Sequence, residues 1–178
     1  MKDYLQPDFY RFNEDSLKLV KEVLNSGIRP DSLLDMGAGS GVIGLELAKV
    51  LRPGRLDFLE LQTEWEPYLS GNIRDFLPKD VQTNVFWNSF SSWVPDRQYE
   101  LIVCNPPYYL PGRGILSPDP VRARCRSFEV DDWESLLSKC LSALTPDGMA
   151  WFVSPKENQE LIEKLRSGKN DRLQFVWI

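Results

Sequence analysis

An asparagine, two prolines and a tyrosine, Asn105-Pro106-Pro107-Tyr108, follow directly on the apolar run Leu101-Ile102-Val103-Cys104. An amide oxygen and a main-chain carbonyl side by side are two hydrogen-bond acceptors, which is what a planar amino group needs before it can act as a nucleophile. Its lone pair is delocalised into the adjacent π system. Holding both N–H bonds rehybridises the nitrogen and aims the lone pair at an electrophile. The side-chain oxygen of Asn105 and the carbonyl of Pro106 can be the two acceptors. Pro106 and Pro107 fix φ and present that carbonyl rigidly, and Tyr108 offers a face on which a flat target can stack. With an activated electrophile, orientation alone can contribute roughly 7–11 kcal/mol. The same four residues also suit an ordinary structural turn, so their weight rests on what precedes them.

Upstream lies Asp35-Met36-Gly37-Ala38-Gly39-Ser40-Gly41-Val42-Ile43-Gly44. Glycines let the backbone turn tightly and admit a ligand with no side chain in the way. The stretch from Gly39 to Gly44 satisfies a dinucleotide fingerprint, which is weak evidence by itself. Asp35, just before the glycines, is a poor neighbour for a pyrophosphate and a good one for an ammonium. S-adenosylmethionine carries an ammonium, has no phosphate, and its sulfonium is an activated methyl donor. Asp35, Gly37, Ala38, Gly39 and Gly41 are therefore expected around that cofactor. Glu60, followed by Leu61, comes 21 residues after Gly39 and can accept both ribose hydroxyls. Asn88 and Ser89 can address the adenine edge beside Phe90, although Asn and Ser are also common loop residues.

Composition narrows the field. The chain has 178 residues, 42% hydrophobic and 26% charged, as in an ordinary globular protein, and it reads as a single domain over residues 1–178. It contains no histidine, which removes catalytic triads and leaves no plausible zinc ligand set. The odd, widely spaced Cys104, Cys125 and Cys140 argue against a disulfide framework and for a cytoplasmic location. No apolar run is long enough to span a membrane. A net charge of −5 counts against non-specific gripping of nucleic acid, though not against a local basic patch.

The spacing of apolar residues supplies the frame. Asn13 reads as an N-cap with Glu14 and Asp15 in the first turn, followed by Leu17, Val20, Val23 and Leu24 at helical spacing and a stop at Gly27. Strands are expected over 32–36, 55–61, 83–87, 100–104, 149–153 and 173–178. Helices are expected over 42–51, 64–76 and 156–166, with a further apolar helix face through Trp133, Leu136, Leu137, Cys140, Leu141 and Leu144. Alternating strands and helices predict an α/β, Rossmann-like fold: a mostly parallel sheet with helices on both faces and ligands beyond the carboxyl ends of its strands.

In these residues the chain resembles the class I S-adenosylmethionine-dependent methyltransferases with an Asn-Pro-Pro-Tyr motif. The resemblance implies that Asp35, Gly37, Gly39 and Glu60 touch the cofactor and that Asn105, Pro106 and Tyr108 hold the target nitrogen. The flanks, Gln6-Pro7, Tyr10-Arg11-Phe12, Asp15-Ser16 and the segment from Tyr108 to Arg124, look like the bacterial tRNA (adenine-N6) methyltransferases that act beside the anticodon of a valine tRNA. That likeness implies an RNA partner, met by the loop 109–128 through Arg113, Arg122 and Arg124 and, further on, Arg126. A protein glutamine amide is the alternative target, as in the related release-factor enzymes, and a non-catalytic binding module on the same fold is a third reading. Where the tRNA family commonly reads Arg-His-Glu, this chain has Arg126-Ser127-Phe128-Glu129. Class I enzymes usually close the sheet with a strand hairpin. No residues remain after the sixth expected strand for that last one, so the expectation is either an unpaired edge open to pairing with another chain or a sequence that is cut short.

Overall fold

The computed structural model describes residues 3–109, 118–128, 131–166 and 171–178. Strands β1 (Ser32–Met36), β2 (Arg55–Glu60), β3 (Val85–Trp87), β4 (Tyr99–Cys104), β5 (Leu144–Ser154) and β6 (Leu173–Trp177) form one sheet in the order β3-β2-β1-β4-β5-β6. Every ladder in it is parallel. Of the two sides of β6, one pairs with β5, and no described strand lies on the other. The helices are α1 (Glu14–Asn25), α2 (Val42–Leu51), α3 (Glu66–Phe76), α4 (Pro120–Arg124), α5 (Trp133–Ala143) and α6 (Gln159–Leu165).

Parallel strands covered on both faces are largely apolar, and the central pair follows with buried Asp35 as the exception: Leu33, Leu34, Met36, Leu101, Ile102, Val103 and Cys104 are all 0% exposed. Alternation along each strand divides these residues between two cores. Leu34, Met36, Ile102 and Cys104 pack with Trp133, Leu136, Cys140 and Ile162 from α5 and α6. Leu33, Leu101 and Val103 pack with Leu19, Val23, Leu45, Ala48 and Leu69 from α1, α2 and α3. Each full burial contributes roughly 1.5–3 kcal/mol, so the position of the central strands is strongly determined.

The helix ends follow local chemistry. Asn13 accepts the Asp15 N–H, and Gly27 leaves α1 at φ +76°. Pro67 begins α3 after a single tight turn at Thr63–Trp65. Most elements match the expected bounds to within three residues at either end, and two depart further. β5 starts at Leu144, five residues early, because Leu144 pairs with Tyr99 before Pro146 and Asp147 bulge outward and Met149 resumes the ladder beside Leu101. The five-residue α4 was not expected; it is set by Asp119, whose side chain accepts the Val121 and Arg122 N–H groups.

Strand order runs outward in both directions from the β1–β4 pair, so the loops after β1 and β4 diverge and leave a crevice at their carboxyl ends. The glycine loop follows β1, and Asn105 follows β4.

Candidate active site

Two cavities open in this crevice and share a wall. The first is lined by Gly37, Ala38, Gly39 and Ser40 after β1, by Glu60, Leu61, Gln62 and Trp65 after β2, by Phe90 after β3, and by Asn105 and Pro107 after β4. Tyr10, Phe12 and Ser16 approach from the N-terminal segment, and Arg124, Cys125, Ser127 and Phe128 from α4 and the residues behind it. The second cavity is lined by Asp8, Phe9, Tyr10, Arg11, Asn13, Pro106, Tyr108, Tyr109, Arg122, Cys125 and Arg126. Tyr10 and Cys125 belong to both. The tetrapeptide thus alternates across the partition, Asn105 and Pro107 on one side and Pro106 and Tyr108 on the other.

In the first cavity Glu60 is 6% exposed. Its Oε2 accepts the Gly39 N–H at 2.8 Å and its Oε1 the Gln62 N–H at 2.8 Å. Burial pushes its carboxyl upward, while the N–H groups of Gln62, Gly39 and Leu61 draw it back. Three N–H groups leave the carboxylate with acceptor capacity to spare, and Glu60 lines the cavity where a ribose hydroxyl could donate. The Gly37 and Ala38 N–H groups both bond the Leu59 carbonyl, at 2.8 and 3.1 Å, which ties the glycine loop to the end of β2.

Asp35 and Gly41 stand off the wall of this cavity. Asp35 is 1% exposed beneath α2, and its Oδ2 accepts the Gly44 N–H at 2.8 Å. A Cβ on Gly44 would lie 3.0 Å from the Asp35 side chain, so a glycine is what lets α2 sit this close to β1. The Asp35 Oδ1 has no hydrogen-bond partner among the described residues. Burial pushes its carboxyl up to about 7, opposed by the Gly44 N–H and reinforced by the nearby Glu60 charge. Gly41, at φ +78°, turns the chain into α2, and a Cβ there would lie 2.6 Å from Leu69 Cδ1. Its role is conformational. Asn88 and Ser89 are off the wall too. The Asn88 side-chain oxygen accepts the Ser89 N–H, and the Ser89 hydroxyl accepts the Ser92 N–H, so both side chains close their own turn and leave Phe90 to face the cavity.

The Asn105-Pro106-Pro107-Tyr108 tetrapeptide is held by α1. Asn105 Nδ2 donates to the Ser16 hydroxyl at 3.1 Å, which fixes the amide so that Oδ1 is its acceptor side. The Tyr108 hydroxyl donates to that Oδ1 at 2.8 Å and lies 3.4 Å from Asp15 Oδ2. Asn158 Nδ2 donates to the Tyr108 carbonyl at 3.0 Å. Tyr109 exchanges backbone bonds with Arg126 and Phe128, pinning the far end.

The arginines separate. Arg122 lies at the second cavity, whereas Arg124 turns to the first, its guanidinium donating to Gln62 Oε1 at 3.1 Å and Glu64 Oε1 at 2.8 Å. Two positions apart on a helix cannot share a face, so the pair cannot act on one phosphate track. Arg126 takes the place beside Arg122. Arg113 lies outside the described residues, as does most of the loop that carries it.

Several wall residues carried no role in the sequence. Tyr10, Phe12 and Ser16 were visible only as part of the flanking resemblance. Their segment is anchored by buried Asn72, whose Oδ1 accepts the Leu5 N–H while its Nδ2 donates to the Leu5 and Ser40 carbonyls, linking the segment to the glycine loop. Phe9 and Tyr10 then pack edge-on against Trp65. Asp131 grips the Phe90 and Ser91 N–H groups across the sheet edge, with no local pattern to announce it.

The residues present fit S-adenosylmethionine: a glycine-lined cradle, a paired acceptor at Glu60, aromatic walls at Trp65 and Phe90, and an unpartnered carboxylate oxygen on Asp35. Comparison with known proteins points the same way. Residues 12–167 match the methyltransferase small domain family. A tRNA1(Val) (adenine(37)-N6)-methyltransferase of Pedobacter heparinus is 28% identical over 133 residues, covering 74% of this chain and 56% of its own length. The enzyme of the same name from Cronobacter sakazakii is 32% identical over 136 residues, covering 75% and 54%. The chain therefore spans about half the length of the curated relatives it matches. Among solved structures, a proposed RNA methyltransferase of Pyrococcus horikoshii superposes with a TM-score of 0.64 at 19% identity, over 92% of this chain and 74% of that one, a likeness of fold. Among the described residues no helix is long and apolar enough to cross a membrane.

Proposed function

The chain belongs to the methyltransferase small domain family, and from that premise we propose that it moves a methyl group from S-adenosylmethionine to an exocyclic amino nitrogen, adenine N6 of a tRNA. One observation carries this reading: an amide oriented by Ser16 stands where a glycine-lined cavity meets an aromatic one. Glu60, Gly37, Gly39 and the aromatic walls hold the cofactor, which supplies an electrophilic methyl group when bound. Asp35 Oδ1, without a partner among the described residues, is the acceptor left behind the glycine loop for an ammonium, whose charge would favour the ionised carboxylate.

On the other side, Phe9, Tyr10, Tyr108 and Tyr109 offer flat surfaces to a base that has left its stack. Asn105 Oδ1 and the Pro106 carbonyl accept its two N–H bonds and turn the lone pair toward the first cavity. Both acceptors are neutral and hold the N–H bonds during transfer, and the surplus proton on the methylated nitrogen leaves to water afterwards. Arg11, Arg122 and Arg126 surround this cavity and suit phosphates on either side of a looped-out nucleotide. The names of the relatives support adenine within RNA.

Incubating the protein with radiolabelled S-adenosylmethionine and either a valine tRNA transcript or a release factor tests the assignment. Label in the tRNA, released as N6-methyladenosine on digestion, is expected. Label in the release factor alone would move the target to a side-chain amide, and label in neither would remove the methyl-transfer reading.

A further inference from the structure

We propose that the Tyr108 hydroxyl occupies the place of the target's N–H on Asn105 until the target arrives, and that Asp15 is the positioning residue that receives it afterwards. The proposal rests on the reading of Asn105 Oδ1 as an acceptor for the target nitrogen. A phenol has one proton to donate. At 2.8 Å from Asn105 Oδ1 and 3.4 Å from Asp15 Oδ2, it is committed to the amide. The amide cannot turn away, because its Nδ2 is tied to Ser16. An incoming amino group therefore meets an acceptor already in use.

Displacing a partly buried hydroxyl is costly when no second acceptor is within reach. Here one is. Asp15 Oδ2 sits on the first turn of α1, held by Asn13 Nδ2 at 2.6 Å, and Asn13 is itself capped onto the Asp15 N–H. Rotation of the C–O bond and a small tilt of the ring transfer the hydroxyl from a neutral amide oxygen to a carboxylate, the stronger acceptor. Burial and the Asp15 charge both push the Tyr108 phenol upward, so it stays a donor throughout. The stacked face of Tyr108 is kept while its hydroxyl changes partner. Occupancy of the second cavity is thus coupled to uncovering the reactive acceptor.

The test is steady-state methylation of a valine tRNA transcript by the wild-type protein and by Asp15→Ala, Asp15→Asn, Tyr108→Phe and the Asp15→Ala/Tyr108→Phe double variant, with Asn105→Ala as reference. Asp15→Ala is expected to raise the KM for tRNA about tenfold, as for loss of one good hydrogen bond, with kcat within about twofold because saturating tRNA displaces the hydroxyl. Asp15→Asn, which keeps an oxygen acceptor, restores most of the loss. In the Tyr108→Phe background Asp15→Ala has no effect, since no hydroxyl needs a new partner. Calorimetric affinity for S-adenosylmethionine, unchanged in each Asp15 variant, shows that α1 still folds. Equal KM effects of Asp15→Ala in both backgrounds, or failure of Asp15→Asn to rescue, overturn the role of Asp15. Full transfer by Asn105→Ala overturns the underlying assignment of Asn105 instead.

Discussion

The two cavities meet at one amide, yet the chain builds them by different means. The wall of the first comes mainly from loops that leave successive strands, and each loop is bonded back to the sheet. Gly37 and Ala38 bond the Leu59 carbonyl, Gly39 bonds Glu60, and Asn88 bonds the Glu60 carbonyl. Outside the tetrapeptide, the described wall of the second comes from residues 8–13, from Tyr109 and from residues 122–126, which contribute no strand to the sheet. Those segments are held by side chains: Leu5 by Asn72, and Arg124 by Glu64 and Gln62. In the proposed reading, a cofactor common to many enzymes would be gripped by the fold itself, and the target by attachments that can change while the sheet stays the same.

The sharpest way to break this contrast is at the junction. Asn105→Ala removes the acceptor proposed for the reacting nitrogen, along with its bonds to Tyr108 and Ser16, and misplacing that nitrogen is expected to lower kcat by about 100-fold. Because the glycine cradle and Glu60 are untouched, calorimetry should find S-adenosylmethionine binding close to wild type. Loss of cofactor affinity in step with kcat would mean that Asn105 serves the first cavity alone.

Next in size is a change just behind the first wall. Gly41→Ala forces a side chain into φ +78° and within 2.6 Å of Leu69 Cδ1. A cost of about 2 kcal/mol is expected from the conformation and the crowding together. At this chain length that lowers the melting temperature by about 4–8 °C, and cofactor affinity should fall with it. On the second wall, Arg126→Ala should leave the melting temperature close to wild type, since Arg126 is exposed. Equal destabilisation by both substitutions would erase the distinction between the walls.

The same distinction explains what the sequence made legible. Helix α2 was readable to the residue, Val42 to Leu51, because a helical apolar stripe lies between the glycine cluster that ends at Gly41 and the break at Pro53. The six strands and their parallel arrangement were readable because buried parallel strands are continuous apolar runs, as in Leu101 to Cys104. Glu60 and Asn105 were readable because their neighbours place them at strand ends. Tyr10, Phe12 and Asp131 were not. Their positions depend on bonds to residues far along the chain, such as Leu5 to Asn72 and Asp131 to Phe90, and such bonds leave no periodicity. Asp35 was readable as a strand-end acid, but its descent beneath α2 depends on the close approach of Gly44, which spacing alone does not reveal.

The smallest expected effect bears on the arginines and on which wall each serves. Arg122 and Arg126 line the second cavity, whereas Arg124 is paired with Glu64 over the first. Replacing Arg122 and Arg126 together with Ala should weaken tRNA binding about tenfold at moderate salt. The plot of log affinity against log salt should flatten by about 1.4, the release of roughly 0.7 counterion per phosphate on unpaired RNA. Arg124→Ala should leave that slope unchanged and loosen S-adenosylmethionine binding instead, because its guanidinium ties α4 to the loop that follows Glu60. If Arg124→Ala flattens the slope as much as the other two, α4 must turn on binding RNA. Its two faces would then serve a single partner, and the second wall would be a moving part rather than a fixed attachment.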